Sequence, residues 1–468
     1  MKRLFGSLVV GFFSAFILIL GIQTSMAGSA TWKENPISGD WNTAANWSPS
    51  TVPNGPSDIA TFASSNITNV SLSDNTEVNS MLFNPGASAF TITITPTDQS
   101  TQFTVSGAGI TNRGDIQHFV VAGPNVAGGP SANITFLNTA SAGGNDIYFT
   151  LDGGPRNSFA GGQIIFSDHS NAGNASFTVN AGSVRGGSGG LLIFDSHASA
   201  GDATLGALGG NGALGGQIVF GGRCDGGTAR ITLLGNRTDL PSNGNLDISA
   251  HTMPGGGAGP VTIGSLHGDG AVFLGPATLI VGSSNINNYR FLGVISWLGS
   301  QGGIGGGLVK IGTGRLNLTN GNTYLGGTTI KRGELVVNNR TGSGTGNGPV
   351  QVEHGTLSGK GTIAGAVTLG TGNGSGAVLA PGHLHGAGTL GALTINSGLT
   401  FNSDGVYQVQ VDSSTSVTDH VAAVGVSVSP GAQFDFLDTG NGTLPVGTVF
   451  TVINNTSADP IAGTFSQQ

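Results

Sequence analysis

Charge is scarce in this chain: 468 residues carry 16 basic and 24 acidic side chains, for a net charge of −8. A phosphate backbone calls for a basic face, so nucleic acid is not an expected partner. Cysteine is scarcer still. Cys224 stands alone, so no internal disulfide can form, and stability in an oxidising compartment must come from burial and hydrogen bonding. Its setting, Gly221-Gly222-Arg223-Cys224-Asp225-Gly226-Gly227, marks it as a small filler in a turn. Helical heptads are absent, and 84 glycines at about 1 kcal/mol each would melt helices. A charge-poor, glycine-rich chain invites disorder. Against that, Val, Ile, Leu, Phe and Thr recur at regular places, which a disordered chain lacks.

The N-terminus points to export. Lys2 and Arg3 precede an uncharged apolar run from Leu4 to Ile22, and Ser25-Met26-Ala27 supplies small residues for cleavage. Residues 1–27 are therefore expected to be a signal peptide, with the mature chain starting near Gly28. No later stretch is apolar enough to span a bilayer, so membrane contact is expected only through that segment.

Repetition is the strongest feature. Four segments align on a phenylalanine: ITFLNTASAGGND (134–146), IIFSDHSNAGNAS (164–176), LIFDSHASAGDAT (192–204) and IVFGGRCDGGTAR (218–230). Phe136, Phe166, Phe194 and Phe220 are 30, 28 and 26 residues apart, and each is followed seven residues on by Gly143, Gly173, Gly201 or Gly227. One such unit cannot bury its own apolar face, but stacked units can. The pattern predicts an all-β chain: a single-stranded, right-handed parallel β-helix (β-solenoid). Its strands would alternate inward apolar and outward polar residues, with glycine at the corners and the phenylalanines in an interior ladder. At ~4.8 Å per coil the rod would approach ~100 Å. The organisation expected is a cap and first coils over 28–120, ~28-residue coils over 121–300, and further coils over 301–468.

Within the last part, 312–339 reads GTGRLNLTNGNTYLGGTTIKRGELVVNN. Gly312, Gly314, Leu316, Leu318, Asn322, Thr323, Tyr324, Gly326, Gly327, Thr328, Gly333 and Leu335 together resemble the autotransporter-associated β-strand repeat, or passenger-associated transport repeat. The flanks GPVTIGSLHGDGAVFLG (259–275) and GTIAGAVTLG are similar in style. The resemblance implies a passenger exported to the surface of a Gram-negative bacterium, with the repeat acting in folding and transport rather than catalysis. Secretion machinery and surface glycans or other cells are then the partners to expect, and no cofactor is. The resemblance also implies a C-terminal membrane barrel. The chain runs only to Gln468, within what reads as a passenger strand.

Other candidates are weighed against plain structural roles. Trp32, Trp41 and Trp47 suit a cap over the first coil, or alternatively a sugar-stacking face. His169 and His197 follow their phenylalanines by three residues, with Asp168 and Asp195 beside them. Stacking would then line up two imidazoles and two carboxylates, as a metal site or a polysaccharide-cleaving pair would need. Thr139 and Arg223 interrupt that line, which favours solvent-facing corners. His383 and His385 suit a turn. Arg113-Gly114-Asp115 spells an integrin-type tripeptide at a strand end. Gly143-Gly144-Asn145-Asp146 occurs once and lacks the tandem glycines of a calcium repeat, and no phosphate loop or serine-nucleophile setting is present. The expectation is a structural or adhesive surface protein without catalysis. The alternative is a polysaccharide-binding or polysaccharide-degrading β-helix.

Overall fold

A computed structural model describes residues 28–97, 99–126, 128–155, 161–235, 242–286, 289–374, 376–382 and 390–466. The expected signal peptide and the pair His383/His385 lie outside the described residues. The chain winds as a parallel β-helix. Short strands pair with the strand one coil before and one coil after, and almost every pairing is parallel. Alternation does the sorting. Gln163–Phe166 buries Ile164 and Phe166 and turns Gln163 and Ile165 outward, and Ser176–Val179 does the same with Phe177 and Val179.

The predicted ladder is present in register, Phe136 over Phe166 over Phe194 over Phe220. Successive ring centroids lie 4.6, 4.9 and 4.9 Å apart, at 5°, 7° and 13°. All four rings are fully buried. A second ladder, Phe119–Phe149–Phe177, was not foreseen. Its rings are 4.9 and 4.7 Å apart, and it touches the first edge-on through Phe136–Phe149 at 6.0 Å. Stacked and edge-to-face contacts of this kind add about 0.5–1.5 kcal/mol per pair beyond burial.

The cross-section changes along the axis. One sheet of twelve strands runs from the N-terminal end to Val294–Ser296, and a sixteen-strand sheet runs from Asn69–Leu72 to the C-terminal coils. Between them the early coils touch through single-residue bridges, Gly109–Ser141–Asn171–Ser199–Asp225. From Pro260–Ile263 onward this corner widens into an eight-strand sheet. The coils also shorten. Leu308, Thr328, Val350 and Val367 are stacked partners, so three successive coils take 20, 22 and 17 residues. At about 4.8 Å per rung the sixteen-strand sheet is roughly 70 Å long. That is less than the length expected from sequence, because the early coils use the long end of the range.

Trp32, Trp41 and Trp47 close the N-terminal end of the core. They are buried, meet edge-on at 5.0 and 4.9 Å, and rest on Phe62. Their indole N–H groups donate to Ile67 O, Pro53 O and Trp41 O. The edge strand here, Trp47–Ser48, is two residues long and antiparallel to Ala30–Trp32, which blunts the edge against further pairing. With all three rings buried, the sugar-stacking alternative has no exposed face to use.

Candidate functional site

The motif of 312–339 folds as consecutive short strands, Arg315–Leu318, Thr328–Ile330 and Glu334–Val337, each preceded by a corner. Leu316, Leu318 and Leu335 point inward and are buried. Gly312 and Gly333 occupy one corner column with Gly282 and Gly355, at φ of 68°, 71°, 121° and 111°. A side chain at Gly312 would overlap the carbonyl oxygen of Gly282 one coil away. Glycine is therefore required there twice over, by conformation and by the approach of the neighbouring turn. Gly314 lies in the same bend, and its carbonyl faces Gly333.

The polar positions of the motif tie the next corner. Asn322 accepts the backbone N–H of Ile295 at 2.8 Å and donates to Gly344 O at 2.6 Å, so one buried amide bonds to the coils on both sides. Thr323 donates its backbone N–H to Ile295 O at 2.9 Å. Tyr324 is fully buried, with its hydroxyl 2.6 Å from Thr328 Oγ1. Burial pushes the Tyr324 phenol far above its ordinary range, and the Thr328 hydrogen bond offsets only part of that. Gly326 donates to Gly306 O at 2.9 Å, and a Cβ there would run into Gly305 O. Gly327 turns the chain at φ 90°.

Two residues inside this segment escaped the sequence reading. Lys310 is almost wholly buried, and its ammonium donates to Ile311 O, Gly312 O and Arg332 O at 2.5, 3.1 and 3.3 Å. Burial pulls it down to about 8, against the opposing pull of Glu334. Glu334 pairs with Arg315 at 2.7 Å and accepts Ser358 Oγ at 2.6 Å, linking three coils on the outer face. The available signal was a charged residue at each inward or paired strand position. It was hidden because Lys310 precedes Gly312, where the motif begins, and Glu334 falls between the motif positions Gly333 and Leu335.

The four-residue line at the first ladder resolves differently from expectation. His169 and His197 do stack, with centroids 5.2 Å apart at 7°. The two carboxylates do not share their column. Phe166 pairs with Phe194, so Asp168 lies opposite Ser196, and Asp195 opposite Ser167. Asp168 accepts the Asn138 N–H of the preceding coil at 3.0 Å, whereas Asp195 leans over Gly222 of the following coil. The pair expected to line up on one face is thus turned in opposite directions. Asp168 also sits at φ 56°, in a column with Asn138 at 54°, Ser196 at 58° and Gly222 at 52°. An Asp at this position is a turn former that tolerates left-handed backbone. These residues, with Arg223 and Thr252, line a shallow depression of about 400 Å³. Among the described residues no group of three or more His, Cys, Asp or Glu side chains is placed to hold a metal ion.

Arg113 and Asp115 are exposed on a bend. Gly114 between them backs onto Ala87, whose Cβ would lie 2.8 Å from a Cβ at 114, so packing alone accounts for the glycine. Cys224 is a buried, free thiol pushed up by desolvation, which suits a filler rather than a nucleophile.

Comparison with known proteins gives one assignment. The family model of the passenger-associated-transport-repeat matches residues 308–337, a segment that includes Lys310 and Glu334 as well as the motif. No curated protein matches the chain. Among the described residues no helix is long and apolar enough to cross a membrane.

Proposed function

We propose that this chain, which carries a passenger-associated transport repeat set in line within a stack of parallel strands, is an exported scaffold at the surface of a Gram-negative bacterium. Its role there is structural and adhesive, and it does not catalyse. The observation that carries this reading is the placement of the repeat at 308–337. It is an ordinary pair of coils, continuous in register with those before and after. A segment so placed can form on the coil preceding it and template the next, as stepwise export requires. The outer faces support the adhesive half. They carry outward Asn, Thr, Gln and Ser side chains on successive rungs, such as Asn133 and Gln163, then Gln351 and Thr368. Catalysis is left out because Asp168 and Asp195, the one carboxylate pair that sequence put on a single line, occupy different columns and turn to opposite neighbouring coils.

Export and adhesion are separable by experiment. The chain would be expressed with its own N-terminus, intact or lacking 312–339, and surface exposure read by antibody labelling and protease shaving of whole cells. The deletion should cut surface exposure several-fold while leaving the far-UV β-signature of the remaining coils unaltered in kind. Equal display of both forms would end the transport role. Displayed cells that attach to glycan-coated or cell-coated surfaces no better than bare cells would end the adhesive one.

A further inference from the structure

On the outer surface of the repeat, Arg290, Leu292, Asn317, Thr319, Asn338 and Arg340 surround a concavity of about 380 Å³, with Asn320 and Thr341 at its margin. Its chemistry stands apart from the rest of the molecule. The chain has 16 basic residues against 24 acidic ones, yet two arginines meet here and no carboxylate lines the wall. Of the other cations of the repeat, Lys331 and Arg332 lie exposed at the corner before Glu334–Val337, and two are occupied. Arg315 is paired with Glu334, and Lys310 is bound by three carbonyls. Arg290 and Arg340 are exposed, and among the described residues their guanidinium groups have no hydrogen-bond or ion-pair partner.

The remaining lining is polar and held in place. Asn338 Nδ2 donates to Asn317 Oδ1 at 3.3 Å, and Asn320 Nδ2 donates to Leu292 O at 3.3 Å. That holds the Asn317 amide by its oxygen, and among the described residues its NH2 group has no hydrogen-bond acceptor. Thr319 and Thr341 contribute hydroxyls, and Leu292 an apolar patch. The inventory is therefore two planar guanidinium forks, one positioned amide donor, two hydroxyls and a small apolar surface.

We infer that this groove binds an acidic polysaccharide, and we place its carboxylate-bearing sugar rings against Arg290 and Arg340. Guanidinium forks match carboxylates in a bidentate manner, while amides and hydroxyls match sugar hydroxyls. A metal ion is disfavoured by two fixed cations, and single-stranded nucleic acid by the absence of any aromatic stacking surface in the lining. The geometry also favours an extended ligand over a small anion. Arg290 lies on the strand paired with Asn317, and Arg340 follows the next strand, Glu334–Val337, so their backbones are about two rungs, or roughly 10 Å, apart along the axis.

This inference rests on the adhesive reading and supplies its ligand class. The test is retention of the purified chain on immobilised polygalacturonate, with dextran sulfate and neutral dextran as parallel surfaces. Arg290→Ala/Arg340→Ala is compared with Arg113→Ala, an exposed arginine far from the groove, after circular dichroism confirms that each variant is folded. The wild type and Arg113→Ala should bind polygalacturonate in a salt-sensitive manner and ignore neutral dextran. The double variant should lose at least about tenfold in affinity. Binding of dextran sulfate more tightly than polygalacturonate would replace the carboxylate with a sulfate and overturn the ligand assignment. Equal losses in Arg113→Ala and the double variant, or unchanged binding by the double variant, would overturn the site. If the double variant loses polysaccharide retention and whole-cell attachment together, groove and adhesion stand jointly. If the groove fails while attachment persists, only the groove is lost.

Discussion

The coils between Asn133 and Leu233 and those from Leu308 onward solve the same stacking problem with different materials. In the first region, two columns of phenylalanine fill the interior, and buried polar side chains are few: Thr135, Ser170 and Ser188. In the second, the coils from Leu308 to Val367 are shorter, those after it lengthen again, and phenylalanine is absent from the repeat. The interior there admits Lys310, Asn322, Tyr324, Thr328, Ser343 and Thr345, with Glu334 and Ser358 buried beside it. A long coil encloses enough width for two rings side by side. A 17- to 22-residue coil does not, so its corners come together and their backbone groups must be bonded by buried side chains instead. The first region is set by non-directional packing, the second by directional bonds. The transport repeat belongs to the directional kind.

The sharpest way to break the comparison is to remove a ring. Phe166→Ala takes away stacking on both neighbours and leaves a cavity in the aromatic region, and should cost about 4 kcal/mol, read as a shifted urea midpoint. Leu335→Ala in the repeat should cost less, since a smaller side chain and no ring pair is lost. Equal losses would mean that the two interiors are not different in kind. Next in size is backbone crowding. Gly326→Ala would force a methyl onto Gly305 O and should destabilise by roughly 2 kcal/mol, whereas Gly206→Ala in the early coils meets nothing closer than Phe177 O at 3.5 Å and should be close to neutral. Gly206 lies mid-strand, while corner glycines of both regions, such as Gly162 and Gly326, face a neighbouring carbonyl, so similar thermal midpoints for the two variants would contradict the view that close approach at the corners requires glycine.

The smallest effect concerns pH. Asp419 is fully buried in the later coils, with Oδ1 accepting Gly391 N–H at 2.7 Å and Oδ2 without a partner among the described residues. Burial raises it to about 6, only partly offset by that backbone bond. A raised carboxyl binds its proton more tightly folded than unfolded. Its contribution is therefore full below about pH 4 and is lost as pH rises through 6. Chemical denaturation between pH 4 and 7 should show a decline on the order of 1–2 kcal/mol. Asp419→Asn should flatten it. A decline that survives the substitution would assign the titration elsewhere.

How much of this was legible follows from what each feature writes into the chain. The first phenylalanine ladder was readable because Phe136, Phe166, Phe194 and Phe220 each carry the same flanks, down to the glycine seven residues on. The second was not, because Phe149 follows Phe136 by 13 residues and Phe177 follows Phe166 by 11, so corner length scrambles the alignment. The repeat motif was legible as a pattern, while the reasons for it were not. That Asn322 bonds forward and backward, or that Gly312 lies beneath a carbonyl, is a relation between coils. The Asp168/Asp195 expectation failed for a related reason. Counting from the phenylalanines puts these residues two and one positions on, and a one-residue offset in a strand-like register moves a side chain to another column. Lys310 went unread because a charged residue is not expected inside a strand-built interior, and only three converging carbonyls make it tolerable.

The hydrogen bonds that join rung to rung all point along the axis of the rod. A protein anchored at one end and holding a partner at the other would therefore feel tension in line with those bonds, and would load them few at a time rather than in shear. Such a structure gives way by peeling. Each early coil released would pay out about 28 residues, or roughly 90 Å of slack, before the next was loaded. The rod would then lengthen coil by coil under a steady pull, as a fastener does, in shorter steps through the repeat than through the early coils, and would dissipate a sudden load instead of snapping free of it.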